Sequence, residues 1–417
     1  MSESAPHSDD STSALFALRD YRLFWVSRAA GALGGLIQSV ALGWQVYAVA
    51  RETMDVARSS FMLGMVGLVS FLPVLLLTLP AGEAVDRYNR RRVLTWCLLG
   101  QIAVVTTLTA LSFFRVRNMA LLLSVAALYG CARVFFAPAS SALGPMLVPR
   151  TLLPRAIAWN SLAWQTSAVV GPAIGGILVA VSPTLAFGVS VLLYSVSVLV
   201  LVRIRTDSQP VAKPGSRWSL MKEGLHYVWT NQIVFGAISL DLCAVLLGGA
   251  TALLPAFARD VLHVGASGFG VLRAAPAAGA TVVALYLAAN PIRRRAGVIM
   301  FSGVGIFALA TIGFGFSRNL ALSAVMLGVL GGADMISVFV RQTLVQLVTP
   351  DAMRGRVGAV STLFIGASNE LGEFESGFVA RFIGPVRAVI MGGVGALGVT
   401  IVWIRLFPTL WKSNSLE

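Results

Sequence analysis

The 417-residue chain is short of charge: Asp, Glu, Lys and Arg make up 12% of it, where an average soluble domain carries roughly 25%. Hydrophobic residues make up 57%, and the mean hydropathy is +0.80. A water-soluble fold leaves too much of its surface in water to hide that many apolar side chains. A soluble domain is therefore excluded, and the sequence reads as a polytopic membrane protein. Cysteine is scarce as well. Cys97, Cys131 and Cys243 each fall inside an apolar run and none belongs to a Cys-x-x-Cys pair, so neither a disulfide framework nor a metal site is expected. The three histidines, His7, His226 and His263, lie outside the apolar runs and are poor candidates for moving protons across a membrane. The first thirteen residues are polar and acidic, unlike a cleavable signal peptide. Phosphate-loop, His-Glu-x-x-His and Gly-x-Ser-x-Gly patterns are missing, so neither an ATP-driven pump nor a familiar hydrolase is indicated. Gly393-Val394-Gly395-Ala396-Leu397-Gly398 fits Gly-x-Gly-x-x-Gly, but it sits in an apolar run with no strand before it and reads as helix packing. No enzyme activity is expected.

What the chain has is long apolar runs. About 20 apolar residues cross a bilayer as a helix, and twelve such runs stand near 24–48, 59–80, 93–114, 119–138, 157–180, 184–202, 234–256, 268–289, 298–316, 320–341, 360–382 and 386–407. They lack the period-2 alternation of a barrel, so the expected fold class is all-α. The net charge of +14 would suggest nucleic acid in a soluble chain; here basic loops on the cytoplasmic face explain it better, and no nucleic-acid partner is expected. With both termini cytoplasmic, twenty of the 32 Lys and Arg fall on the inner side, eight on the outer and four within helices. That bias fixes both ends inside.

The one long polar interruption, 203–219, holds Pro210, Lys213, Pro214 and Gly215. It divides the chain into a six-helix bundle over 1–202, a cytoplasmic linker over 203–233 and a second six-helix bundle over 234–417. Within the linker Leu220, Met221, Leu225, Val228 and Trp229 recur at helical spacing around Lys222, Glu223 and His226, the pattern of a short interfacial helix; a plain linker is the alternative. A shift of 201 residues aligns Gly130 with Gly331, Pro149 with Pro350, Arg155 with Arg356, Gly171 with Gly372 and Gly176 with Gly377. Two parallel six-helix repeats around a central path suit a transporter that rocks one half against the other.

The loop after the second run reads Gly82-Glu83-Ala84-Val85-Asp86-Arg87-Tyr88-Asn89-Arg90-Arg91. Gly82 permits close packing, Asp86 can accept hydrogen bonds or face a helix N-terminus, and Arg87, Arg90 and Arg91 anchor the cytoplasmic face. The spacing resembles the signature loop of the major facilitator superfamily, with Asn89 in place of its usual glycine; Asn tolerates left-handed backbone geometry, so the turn is expected to be kept. Gly171-Pro172-Ala173-Ile174-Gly175-Gly176 is similar to a second superfamily motif, associated with proton-driven exporters. Physically it offers a proline kink and small residues for close helix approach. The superfamily's usual fourth-helix arginine would align near Ala126 and is missing; Arg133 lies two turns further on. The stretches Leu18–Gln45, Ala333–Leu344, Pro350–Val357 and Ala367–Glu373 resemble an enterobactin-exporter-like subgroup. That resemblance implies the major facilitator fold of twelve helices, a bacterial inner membrane, a monomer, no cofactor, and export of siderophores or drugs driven by the proton gradient.

A charge near the bilayer centre costs roughly 2.5–3.5 kcal/mol on the mildest scale and normally faces a cavity or a partner. Arg28, Arg133, Asp241, Arg273 and Asp334 are such charges, followed by Glu370, Glu373 and Glu375. In the superfamily the first, fourth, seventh and tenth helices line the central path, so Arg28, Gln38, Trp44, Arg133, Asp241 and Asp334, together with Arg273 of the eighth, are the candidate cavity and substrate-binding residues. The 201 shift sets Arg133 opposite Asp334, which suggests a salt bridge between the halves. Glu370 and Glu373 share a helix face, whereas Glu375 points elsewhere. A carboxyl group held away from water takes up a proton more readily, so Asp241, Asp334, Glu370 and Glu373 are candidates to couple protons; static bridges to Arg28, Arg133 or Arg273 are the alternative. The three arginines suit an anionic catecholate and the acids a cationic drug. Trp25, Trp44 and Trp164 could form an aromatic wall or anchor at the membrane interface. The expectation is export of an amphipathic small molecule by alternating access. An importer or lipid flippase on the same fold, or a non-transporting sensor, stand as alternatives.

Overall fold

The computed structural model describes residues 12–207, 209, 217–290, 292 and 294–412. His7, Pro210, Lys213, Pro214 and Gly215 lie outside them. Polar residues between the apolar runs start the helices. Asp55, Asn118, Ser182, Asn231 and Asn319 each turn a side-chain oxygen back onto a backbone N–H of the first turn, which satisfies donors the helix cannot. The helices that follow are α1 (Arg19–Thr53), α2 (Val56–Arg87), α3 (Arg90–Phe113), α4 (Met119–Leu147), α5 (Arg150–Val181), α6 (Pro183–Leu201), α7 (Gln232–Val261), α8 (Gly265–Ala289), α9 (Ala296–Phe316), α10 (Leu320–Val348), α11 (Asp351–Ile383) and α12 (Pro385–Leu406). The fold is an all-α polytopic membrane bundle.

Among the described residues, eleven helices are long and apolar enough to cross a membrane, against the twelve expected from the runs. The exception is α11. Its 33 residues contain Glu370, Glu373 and Glu375, so its length suits a membrane and its composition does not. Two helices are interrupted where the runs looked continuous. α4 breaks after Arg133 and resumes at Phe136, and α7 stops at Leu247, passes through a 3₁₀ turn at Ala250–Leu253 and closes with a π turn at Phe257–Val261.

α1 packs against α5 and α6, α3 against α6, and α2 against α4; in the second set α10 packs against α8 and α9, α9 against α12, and α7 against α11. The sets meet along α2 against α11 and α5 against α8. The segment after the polar interruption is a helix, Arg217–Thr230. It buries Val228 among Val234, Ile238, Val357 and Val360, donates from Tyr227 Oη to the Val348 carbonyl at 3.0 Å and pairs Glu223 with Arg356, while Leu225 and Trp229 stay exposed.

The Gly82–Arg91 loop marks one end of the bundle, here the loop end. Arg90 donates to the Ala142 carbonyl at 3.0 Å and Arg91 to the Ile204 carbonyl, tying the loop to the ends of α4 and α6. Asn89 departs from expectation. Its φ is −55°, outside the left-handed region, and its side chain caps α3 by accepting from the Arg92 N–H at 3.2 Å. A short side chain that can accept a hydrogen bond starts the next helix here, so no glycine-like turn is required.

Candidate functional site

Near the middle of the bundle a cavity of about 150 Å³ is lined from both sets of helices, by Gln38, Tyr129 and Arg133 on one side and Arg273, Glu370 and Glu373 on the other. Arg133 of α4 pairs with Glu370 of α11, and Arg273 of α8 reaches Glu373 at 3.7 Å. Glu370 and Glu373 sit three residues apart on one helix face, so α11 presents both acids to arginines arriving from different helices. Arg133 also lies over the Tyr129 ring, 5.6 Å from its centroid. Tyr194 donates to Gln38 Oε1 at 3.1 Å. The Gln38 Nε2 and Arg133 Nε donors are buried without a partner among the described residues, an arrangement that favours an incoming acceptor oxygen.

The expected bridge between Arg133 and Asp334 does not form; Arg133 is taken by Glu370. Equivalent positions in a repeat need not touch, because contact depends on how each helix is rotated within its bundle. Asp334 instead shares its helix with Arg341, seven residues on and on the same face, and Arg341 pairs with Asp241 of α7. This second cluster is deeply buried, with the Arg341 and Asp241 side chains 2% and 7% exposed. Asp334 feels the charges of both groups, yet it makes no hydrogen bond or ion pair among the described residues. The guanidinium thus pairs with Asp241 and leaves Asp334 without an ion pair among the described residues. The sequence reading gave Arg341 no role; its i, i+7 spacing from Asp334 inside an apolar helix was the available signal.

Other candidates lie elsewhere. Arg28 donates to Ser140 Oγ at 2.8 Å and is absent from the cavity wall. Trp44 stacks on Phe269 with ring centroids 6.0 Å apart, Trp25 donates to the Trp159 carbonyl at 3.0 Å and Trp164 is half exposed, so these three tryptophans build no common wall. Glu375 turns away toward Ser376. Among the described residues no group of His, Cys, Asp and Glu could hold a metal ion.

Beyond the cavity, away from the loop end, the two sets are drawn together. Tyr47 Oη donates to Asp260 Oδ2 at 2.6 Å and Arg51 lies 3.3 Å from the same carboxylate. Phe61 packs against Phe374 and Phe378, under Arg381. Here the glycine motif finds its use. Gly171 and Gly175 face Leu36 and Val40 of α1, while Gly176 meets Gly270 of α8 backbone to backbone. Pro172 lies buried inside α5 between them. On the other seam Gly64 of α2 meets Gly377 of α11 in the same way. Gly176 and Gly377 are the residues that the 201 shift aligns, and each lies at one of the two seams. Neither Asp260 nor Tyr47 stood out in the sequence, because a charge at the end of an apolar run looks like an ordinary loop residue.

A family model described as transmembrane secretion effector matches residues 10–416. Among curated proteins, the multidrug efflux pump Tap of Mycobacterium tuberculosis is 27% identical over 388 residues, covering 88% of this chain and 90% of that protein. The enterobactin exporter EntS of Citrobacter koseri is 26% identical over 388 residues, covering 91% of each. The staphyloferrin A transporter of Staphylococcus aureus is 22% identical over 377 residues, covering 89% of this chain and 92% of that protein. Among solved structures, the POT family transporter PepTSo superposes with a TM-score of 0.74 at 12% identity, covering 94% of this chain and 98% of that one. A bacterial homologue of the iron transporter ferroportin in its inward-facing state gives 0.71 at 16% identity, with 95% and 99% covered. At these identities the structural matches speak for the fold alone.

Proposed function

Because the chain belongs to the transmembrane secretion effector family of the major facilitator superfamily, a family of transporters rather than enzymes, we propose that it exports an amphipathic small molecule in exchange for protons. The observation that carries this reading is the central cavity closed by Arg133–Glu370 and Arg273–Glu373. Arg133–Glu370 joins α4 to α11 across the two sets, while Arg273–Glu373 holds α8 to α11 within the second, so parting the sets breaks the first pair and changes the charge presented to a ligand. About 150 Å³ is less than the roughly 300–1,000 Å³ of small-molecule sites, so occupancy by a drug-sized compound requires the helices around it to separate. We read the bundle as twelve spans in two rocking halves, 1–202 and 234–417, joined by 203–233. The excess of basic residues on the loop side supports a cytoplasmic loop end, and the joined far end then corresponds to a state closed to the outside.

The unpaired donors of Gln38 and Arg133 favour a cargo rich in acceptor oxygens, and the named activities of EntS and the staphyloferrin A transporter make a siderophore the first class to test. Among the four intramembrane acids, Asp334 is the proton carrier in this reading. Glu370, Glu373 and Asp241 each have an arginine, so protonating them breaks a bridge, whereas Asp334 can load and unload without losing a partner. The test uses proteoliposomes with a pH dye inside and siderophores or cationic drugs outside. Compound-induced proton movement, lost in Asp334→Asn and kept in a variant that still binds the compound, is the expected result. Compound flux with no proton signal in the wild type, or full coupling in Asp334→Asn, overturns it.

A further inference from the structure

A second cavity lies outside the central one. A groove of about 790 Å³ runs down the membrane-facing side of α3 and α4 from the loop end, and its two ends differ in chemistry. At the loop end it is lined by Arg87, Tyr88, Asn89 and Arg92, with Gln209 beside them. Arg87 and Arg92 are both exposed, and neither has an ion pair or side-chain hydrogen bond among the described residues. Further in, the lining is apolar. Gly100, Ala103 and Ala132 form a floor of small residues, and Trp96 and Leu128, 73% and 58% exposed, stand as walls. The floor follows from the sequence: a Cβ on Gly100 would lie 3.3 Å from Ala132 Cβ, so small side chains on both helices leave a trench where bulky ones would have filled it.

From Arg92 to Val104 the groove follows twelve residues of α3, which at 1.5 Å per residue is about 18 Å. One leaflet contributes about half of a roughly 30 Å hydrocarbon core, so the groove reaches from headgroup level to near the midplane. Two arginines with no ion pair among the described residues stand at the water-facing end and an apolar trench of one-leaflet depth lies below them, which is the polarity and length of a single phospholipid. A neutral or cationic amphiphile would leave both arginines without a counter-charge. Basic recesses between membrane helices favour anionic headgroups for the same reason.

We propose that this groove is a binding site for an acidic phospholipid, with Arg87 and Arg92 holding the phosphate-bearing headgroup and an acyl chain lying along Trp96, Gly100, Ala103 and Ala132. The site is separate from the central cavity and does not depend on the direction or cargo of transport.

Native mass spectrometry of the purified full chain, titrated with phosphatidylglycerol or phosphatidylcholine of identical acyl chains, tests it. Each arginine near an acidic headgroup is worth about 1 kcal/mol, or about fivefold in affinity. The wild type is expected to prefer phosphatidylglycerol, Arg87→Gln and Arg92→Gln each to lose about fivefold of that preference, and Arg405→Gln, at the exposed end of α12, to keep it. Ala103→Phe, at an exposed position that can take the larger ring, is expected to fill the trench and weaken both lipids. In dibromo-acyl phosphatidylglycerol, quenching of the fluorescence contributed by Trp96, taken as the difference from Trp96→Phe, is expected to exceed that in dibromo-acyl phosphatidylcholine. Equal affinity for the two lipids, or a preference untouched by both arginine variants, overturns the proposal. So does displacement of the lipid by glycerol phosphate at comparable concentration, which would make this a simple anion site.

Discussion

Replacing Gly176 by alanine puts one methyl group into the seam between α5 and α8. Its Cβ would lie 2.5 Å from Gly270 Cα and 2.8 Å from both the Gly270 nitrogen and the Ala266 carbonyl oxygen, where ordinary contact starts at 3.4 Å. Every obstructing atom is backbone or Cα, so no side chain can swing aside and the helices must part by about 1 Å. Overpacking of this kind costs about 1–3 kcal/mol. Since the strain exists only while the two sets are joined at the far end, it disfavours that state by about 5- to 150-fold. Spin labels on cysteines introduced at exposed Thr53 and Arg387, with Cys97, Cys131 and Cys243 replaced, report the far-end distance by double electron–electron resonance. Gly176→Ala and Gly377→Ala are expected to move population toward longer distances. Gly188→Ala, where a Cβ meets nothing within 4 Å, is expected to leave the distribution in place. An unchanged distribution in both seam variants, or an equal change in the control, would refute the packing argument.

The other predictions concern the charges. Glu370→Gln strands Arg133, whose side chain is 31% exposed, and is expected to destabilise by about 1–3 kcal/mol, while adding Arg133→Gln restores most of the loss because no charge is then left unpaired; thermal unfolding of single and double variants decides, and equal losses would contradict the pairing. Asp241→Asn is expected to lower Tm by removing the partner of Arg341, and Asp334→Asn to leave Tm unchanged or raise it, since it relieves the crowding of two acids around one arginine; the reverse order would show that Arg341 depends on Asp334. Tyr47→Phe removes a hydrogen bond to a carboxylate at 2.6 Å worth about 1.5–3 kcal/mol, and should increase the reactivity of a cysteine placed at Gly43 toward a membrane-impermeant maleimide added from the far side.

Much of this protein is legible in its sequence because lipid is a demanding solvent. Long apolar runs must become helices, polar residues between them become caps, and a charge inside a run must find a partner or a cavity. Arg133, Asp241, Arg273, Asp334, Glu370 and Glu373 could therefore be picked out without a structure, and the glycines at 176 and 377, which one fixed shift aligns, pointed to positions that pack closely at the two seams. Composition misleads at α11, which carries so many acids that it fails an apolarity test, yet its acids hold the central pairs. The partners were not readable. The repeat pointed Arg133 at Asp334, whereas the folded chain gives Arg133 to Glu370 and hides Arg341 against Asp241. Hydrophobicity acts along one chain and can be read from it, but which charged faces meet is fixed by the rotation and tilt of helices whose paired residues stand 100 positions or more apart. The close approach of Gly176 to Gly270 and of Gly64 to Gly377, with Tyr47 and Arg51 on Asp260, joins the sets at those angles, and such contacts between distant segments exist in the tertiary structure alone.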